Sequence, residues 1–418
     1  MLKKLKHPLF VILFTVFLDM LGFGILIPVI PLLLADPASA YYLLPKSTNI
    51  TQGYILLGLL TAIFPLGQFF STSILGELSD KFGRKKILMV CLSVRFVSYL
   101  LFSLGIITRN IPLLFLSRIM DGVASGNISV AQAAIADVTD PKNRAKNFGL
   151  MGAAFGFGFI IGPFLGGKLS DPNILPWFNV ITPFLFAAGL VALNILSVIL
   201  FFPETIKELK QHIKISWSKA IGNIFHAYSM EKLRVIFLTN FLFWSGFSFF
   251  VTFFSVFLIQ KFSYDQGDIG NFFAYIGIWV AFTQIFLTRW LSNKFKDHNI
   301  VRVALFGSAL MVLMFFLANA PWQFLIIVPI FAGFNGLVQA ITPAIVSKSA
   351  DWSVQGEVLG VNSSVQALAS AVPPILSGFI ASAFSPETSI EIAVVVMVVA
   401  GFVFLLFYKP LKEVVHPA

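Results

Sequence analysis

Twelve apolar runs of membrane-crossing length leave a 418-residue chain little choice of fold. A bilayer core about 30 Å thick takes about 20 apolar residues per helical crossing, and backbone exposed to lipid must satisfy its own hydrogen bonds. The runs lie at 8–34, 51–75, 87–107, 111–136, 145–168, 177–202, 234–260, 268–288, 300–319, 321–346, 356–383 and 391–408. The composition agrees: 57% of residues are hydrophobic and 11% charged, too apolar for a water-soluble domain. The predicted class is all-α and polytopic, with twelve transmembrane helices. The first run is too long for a signal-peptide core, so it reads as a retained helix.

In a soluble protein, a net charge of +10 would point to nucleic acid. Here its distribution gives another cause. Lys3, Lys4, Lys6, Arg84, Lys85, Lys86, Lys142, Arg144 and Lys146 fall on one side of the predicted membrane, as do the basic residues of the central loop and Arg289, Lys294, Lys296, Arg302, Lys348, Lys409 and Lys412. The other side holds Lys46, Arg109, Lys168 and Lys261. This asymmetry puts both termini in the cytoplasm and predicts a multi-pass protein of the inner (cytoplasmic) membrane, with no nucleic-acid partner. The single cysteine, Cys91, lies within a run and excludes an intramolecular disulfide. His7, His212, His226, His298 and His416 lie outside the runs or at their margins, so neither a metal cluster nor a nucleophile–base pair stands out. The chain does not read as an enzyme, and no cofactor is expected.

The widest polar break, 203–233, divides the chain into an N-terminal six-helix half (1–202), a cytoplasmic central loop and a C-terminal six-helix half (234–418). Within the loop, Ile215, Trp217, Ile221, Ile224 and Phe225 recur at helical spacing and predict a short helix on the membrane surface. The halves repeat. Gly149, Pro163 and Gly167 match Gly360, Pro374 and Gly378 at a constant offset of 211, and Leu78, Lys81 and Phe82 match Leu291, Lys294 and Phe295 at 213.

Ionisable side chains deep in a span are costly and are usually functional. Asp19, Arg95, Arg118 and Asp121 are the candidates, all in the first half. At a rise of about 1.5 Å per residue, Asp19 lies roughly 16 Å from the cytoplasmic side and Asp121 roughly 15 Å from the outer side, both near the midplane. Arg118 and Asp121, three apart, share a helix face. In one reading they only neutralise each other, while Asp19 hydrogen-bonds a helix neighbour. In the other, Asp19 or Asp121 binds and releases a proton, with Asp19 ranked first because Asp121 has its own arginine. The second half offers polar and aromatic faces instead. Asn240/Trp244, Asn271/Tyr275, Asn335/Gln339 and Asn362/Gln366 are each spaced by four. They read either as interhelical glue or as the lining of a cavity for a flat or cationic amphiphile.

Between the second and third runs lies Gly76-Glu-Leu-Ser-Asp80-Lys-Phe-Gly83-Arg84-Lys-Lys86. Its lysines alone would serve as a positive-inside anchor, and Gly76 and Gly83 would permit a tight reversal. The ordered sequence also resembles the signature loop of the major facilitator superfamily. Span 1 carries Leu18-Asp19-Met20-Leu21-Gly22 through Pro28 and Pro31, and span 4 carries Arg118-Ile-Met-Asp121-Gly122. Span 5 carries Gly158-x-x-x-Gly162-Pro163-x-x-Gly166-Gly167, and span 6 exits through Pro203-Glu204-Thr205. Together these resemble the twelve-helix drug:proton antiporter branch, which includes tetracycline and multidrug exporters. The resemblance implies two pseudo-symmetric six-helix halves and a midplane site served by alternating access. It also implies a monomer that exchanges a small molecule for protons, with the proton gradient as its driving force. The span 5 run is tied to antiport; physically it offers close helix contact at its glycines and a lost backbone donor at Pro163. Asp80 is expected to face the start of span 11 near Gly356 as a gate, and Arg84 to pair with Asp137. The chain departs from the family at Asp121, where glutamine is common. Alternatives on the same machinery are an exporter of an endogenous metabolite such as a siderophore, a proton-coupled importer, and a sensor that binds without moving its ligand.

Overall fold

The computed structural model describes residues 6–45, 47–140, 144–206, 209, 219–230, 233–348 and 355–409. Among these, helices and turns account for the regular structure, and no strand occurs. In chain order the helices are α1 (Lys6–Leu34), α2 (Ile50–Phe82), α3 (Arg84–Ile107), α4 (Ile111–Ala124), α5 (Asn127–Val138), α6 (Arg144–Lys168), α7 (Thr182–Phe201) and α8 (Lys219–Ser229). There follow α9 (Arg234–Phe262), α10 (Gln266–Phe282), α11 (Thr288–Lys294), α12 (Asp297–Leu317), α13 (Phe324–Lys348), α14 (Gln355–Ala383) and α15 (Pro386–Phe407). Eleven helical stretches among the described residues are long and apolar enough to cross a membrane.

The run at 111–136 is the exception, because it is broken at Ser125 and Gly126 into α4 and α5. The break has a packing cause. A Cβ on Gly126 would lie 2.7 Å from the Ser71 carbonyl carbon of α2, and one on Gly122 would lie 2.6 Å from the Phe64 oxygen. The backbones therefore meet here, and the chain turns while the Ser125 hydroxyl donates to the Gly122 oxygen at 2.8 Å. Between α10 and α11 the helix widens through one π-turn, Thr283–Leu287, without losing its direction as a span.

The expected loop at 76–86 is not a loop. Helix α2 continues through Phe82 and α3 starts at Arg84, with Gly83 the sole residue between them. Gly83 has φ +99° and ψ 144°, a region essentially closed to other residues. Gly76 is helical and faces Ser129, so the reversal belongs to Gly83 alone. In the central loop, α8 carries Ile221 and Phe225 on its exposed surface, 47% and 71% accessible. Ile215 and Trp217 lie outside the described residues.

The helices gather into two units. Unit 1 holds Met1–Gly53, Ile63–Ala220 and Tyr264–Ala274; unit 2 holds Tyr54–Ala62, Ile221–Ser263 and Tyr275–Ala418. In unit 1, α1 packs on α6 and α7, and α3 on α4 and α7. In unit 2, α9 packs on α14 and α15, and α12 on α13 and α15. One packing map thus recurs in both, as the sequence repeat predicts. Each unit also holds a short piece of the other half of the sequence. In unit 2, a Cβ on Gly58 would lie 2.9 Å from the Gly378 Cα, and Gln260 Nε2 donates to the Tyr54 hydroxyl at 2.8 Å. In unit 1, a Cβ on Gly167 would lie 2.6 Å from the Gly270 Cα.

Candidate functional site

Glycines set the positions of the charged helices. Gly158, Gly162 and Gly166 recur every four residues along α6 and all face α1. A Cβ on Gly162 would lie 2.6 Å from the Leu21 oxygen, and one on Gly166 2.5 Å from the Ile25 oxygen. Pro163 lies within α6, its ring against Gly24. Such small-residue seams let membrane helices approach by backbone. Here they hold α1 with Asp19 in the interior.

Asp19, Arg95, Arg118 and Asp121 are 2%, 1%, 3% and 2% exposed, and they form one chain of ion pairs. Arg95 on α3 is its centre. Its Nη1 meets Asp19 Oδ1, and its Nε donates to Asp121 Oδ1 at 2.9 Å. Arg118 Nη1 donates to Asp121 Oδ2 at 2.6 Å, and its guanidinium lies 4.6 Å from the Phe64 ring centroid. Two carboxylates thus meet two guanidiniums, and the cluster is neutral when all four are ionised. Pairing of this kind is what makes buried charge tolerable in a low-dielectric interior. Polar capacity is left over: Asp19 Oδ2, Arg95 Nη2, Arg118 Nε, the Tyr99 hydroxyl and Asn127 Oδ1 are buried without hydrogen-bond partners.

The Arg118–Asp121 pair falls where helical spacing put it, whereas Asp19 has Arg95 rather than a neutral neighbour. Sequence reasoning counted Arg95 among the buried charges without giving it a task. Charge counting could have found one, since two carboxylates and Arg118 leave one anion over. Asn127 was missed altogether. It is 1% exposed, opens α5 just after the break, and its Nδ2 reaches Asp19 Oδ1 at 3.5 Å. Its signal was Ser125-Gly126 in the middle of an apolar run.

Where α2 gives way to α3, Arg84 meets two carboxylates, Asp137 and also Asp80, which sequence reasoning had instead set against the start of span 11. Its Nη1 lies 2.5 Å from Asp80 Oδ1 and its Nε 3.2 Å from Asp137 Oδ2. Sequence reasoning quoted Glu204 and Thr205 without seeing their place here. The Thr205 hydroxyl donates to Asp137 Oδ2 at 3.1 Å. Glu204 accepts from the Arg84 and Lys85 amides at 2.9 and 3.2 Å, an anion on the open N-terminus of α3.

The paired amides of the C-terminal half have mixed surroundings. Asn240 Nδ2 donates to Asn362 Oδ1 at 2.8 Å, tying α9 to α14, and Gln339 donates to Asn335 along α13. Trp244 packs edge-on against Phe247 at 5.7 Å and Gln366 is half-buried. The Tyr275 hydroxyl donates to the Leu325 oxygen at 3.0 Å, while Asn271 is exposed. No group of side chains suited to a metal ion occurs among the described residues.

With this geometry in place, comparison with known proteins is specific. The family model described as Major Facilitator Superfamily matches residues 12–374. The chain is 29% identical over 373 residues to the class C tetracycline resistance protein of Escherichia coli, covering 89% of each. It is 28% identical over 384 residues to the quinolone resistance protein NorA of Staphylococcus aureus, covering 90% of each. Its fold matches the crystal structure of a D-xylose–proton symporter with a TM-score of 0.78 at 15% identity, covering 97% of this chain and 98% of that one.

Proposed function

The chain belongs to the major facilitator superfamily, and from that premise we propose that it exports a small amphiphilic molecule in exchange for protons by alternating access. It is a multi-pass membrane transporter of small molecules rather than an enzyme. The observation that carries the finer reading is the buried cluster of Asp19, Arg95, Asp121 and Arg118. Ionisable groups in the interior of membrane helices are costly to bury and are usually functional. Asp19 is the proton carrier in this reading. One of its oxygens pairs with Arg95 and the other has no donor, so a proton can bind without displacing a second partner. Asp121 is paired with both arginines and fixes Arg95 in place.

The direction of transport rests on the span 5 glycine–proline run and on the names of the relatives. The substrate surface is assigned to Trp244, Gln366 and their neighbours, with Asn240–Asn362 as a structural clamp beside it. The gating assignment rests on Arg84 with its two carboxylates, Asp137 and Asp80. The protein acts as a monomer in the inner membrane, with both termini cytoplasmic.

The test uses everted membrane vesicles with an acid interior and a pH-sensitive dye. Cationic drugs, tetracyclines and siderophore-like chelators are added one at a time to wild type and Asp19→Asn. Substrate-triggered proton efflux in wild type alone is the expected result. Proton efflux of equal size in Asp19→Asn removes Asp19 as the carrier. Proton movement that follows substrate inward identifies an importer instead.

A further inference from the structure

We propose that Asn127 is the second half of the proton-binding position, and that proton arrival transfers Asp19 from Arg95 to Asn127. The inference rests on the reading of Asp19 as proton carrier. The two side chains already touch, Asn127 Nδ2 to Asp19 Oδ1 at 3.5 Å, a long contact for a donor facing an ionised acceptor. Each retains a buried oxygen without a donor, Asp19 Oδ2 and Asn127 Oδ1. Two acceptors cannot satisfy one another. One added proton turns the carboxylate into a donor, and a rotation of the amide then presents Asn127 Oδ1 to it.

The balance of the step is simple. An O–H bond forms on Asp19, the carboxylate loses its negative charge, and the four-residue cluster passes from neutral to a single positive charge. Arg95 loses its ionic hold on α1 but keeps Asp121 on α4. The grip on α1 thereby shifts from α3 to α5. Asn127 is a positioning residue in this scheme: it stabilises the protonated carboxyl and does not itself carry the proton.

The fold is arranged for such an exchange. The turn at Ser125 and Gly126 ends α4 and places Asn127 first in α5. The charged groups around Asp19 are few. Arg95 comes from α3, Asp121 and Arg118 stand behind it on α4, and Tyr99 of α3 points its hydroxyl at Gly22, one turn along α1. Helices α6 and α7 also pack on α1, but they bring no ionisable side chain to this depth: Arg144, Lys146 and Lys168 lie at the ends of α6, and α7 has none. On α5, Asp137 is a full helix length away from Asn127.

The experiment measures proton uptake by the purified full-length protein in detergent, with a pH-indicator dye and no substrate, for wild type, Asp19→Asn, Asn127→Leu and Asn127→Asp. Wild type is expected to show a one-proton step that Asp19→Asn lacks. Asn127→Leu removes the acceptor for the protonated form, and its midpoint is expected to move about one pH unit toward acid, roughly tenfold in proton affinity. Asn127→Asp places a like charge beside the carboxylate, and its midpoint is expected to move toward alkali. Because Asn127→Asp is isosteric, it also serves if the leucine variant does not fold. Unmoved midpoints in the Asn127 variants, with the step still lost in Asp19→Asn, would overturn the role of Asn127 alone. A step that survives in Asp19→Asn would overturn the assignment of Asp19 on which it rests.

Discussion

Where α1, α3 and α4 meet in unit 1, Asp19, Arg95 and Asp121 form salt bridges. Helices α9, α12 and α13 hold the same places in the packing map of unit 2, and they meet through Phe250, Phe315 and Phe331. The three rings lie 5.2 to 5.7 Å apart between centroids, a compact aromatic cluster. One arrangement of helices therefore accommodates either a neutral aromatic centre or an ionic one. By the repeat offset of 213, the place of Arg95 is taken in unit 2 by the buried Ser308, so the fold itself does not require charge at that point. Charge in unit 1 then calls for a reason outside packing, and proton binding supplies one.

The sharpest way to break this comparison is to give unit 1 an apolar centre. Arg95→Leu leaves Asp19 buried without a cation and deprives Asp121 of one of two. We expect it to lose about 3–5 kcal/mol of stability, read as a collapsed yield of monodisperse protein. Arg95→Leu with Asp19→Asn should restore much of the yield, because no unpaired carboxylate remains on α1. A single variant as stable as wild type would mean that the ion pairs are idle. Next, Asp19→Asn alone should fold, yet lose gradient-driven transport; retention of transport would put the two centres on the same structural footing. Phe315→Leu tests the other side of the comparison. It removes part of a fully buried ring and should cost about 1–3 kcal/mol, seen as a drop in melting temperature, with proton uptake unchanged. A lost proton step there would show that the aromatic centre takes part in coupling. The smallest effect is expected of Trp244→Ala, which should alter the relative affinity for substrates without moving the proton step. Identical affinities across a substrate panel would remove Trp244 from the binding surface.

How legible all this was depended on the range of the interactions involved. The spans follow from local hydropathy, and the internal repeat from matched glycines and prolines, so the architecture was readable. Arg118 and Asp121 were readable as a pair because they sit one helical turn apart. The Arg84–Asp137 contact, 53 residues long in sequence, came only through family resemblance. The role of Arg95 depends on which of its neighbours α3 faces, which no periodicity encodes. The same holds for Glu204, whose carboxylate finds an amide 120 positions earlier. The break in α4–α5 was hidden for a different reason. Its residues are apolar or small enough to pass for a helix, and only the approach of α2 forces the turn.

The borrowed segments have a consequence for how the protein can be assembled. Residues 54–62 belong to the first half of the chain but to unit 2, and residues 264–274 belong to the second half but to unit 1. A chain severed in the central loop therefore yields two fragments, each lacking a piece of its own unit. Synthesised alone, each should be a poor substrate for membrane quality control to spare; synthesised together, each supplies the missing piece of the other. During translation, the same logic means that neither unit is finished when the first six spans have left the ribosome.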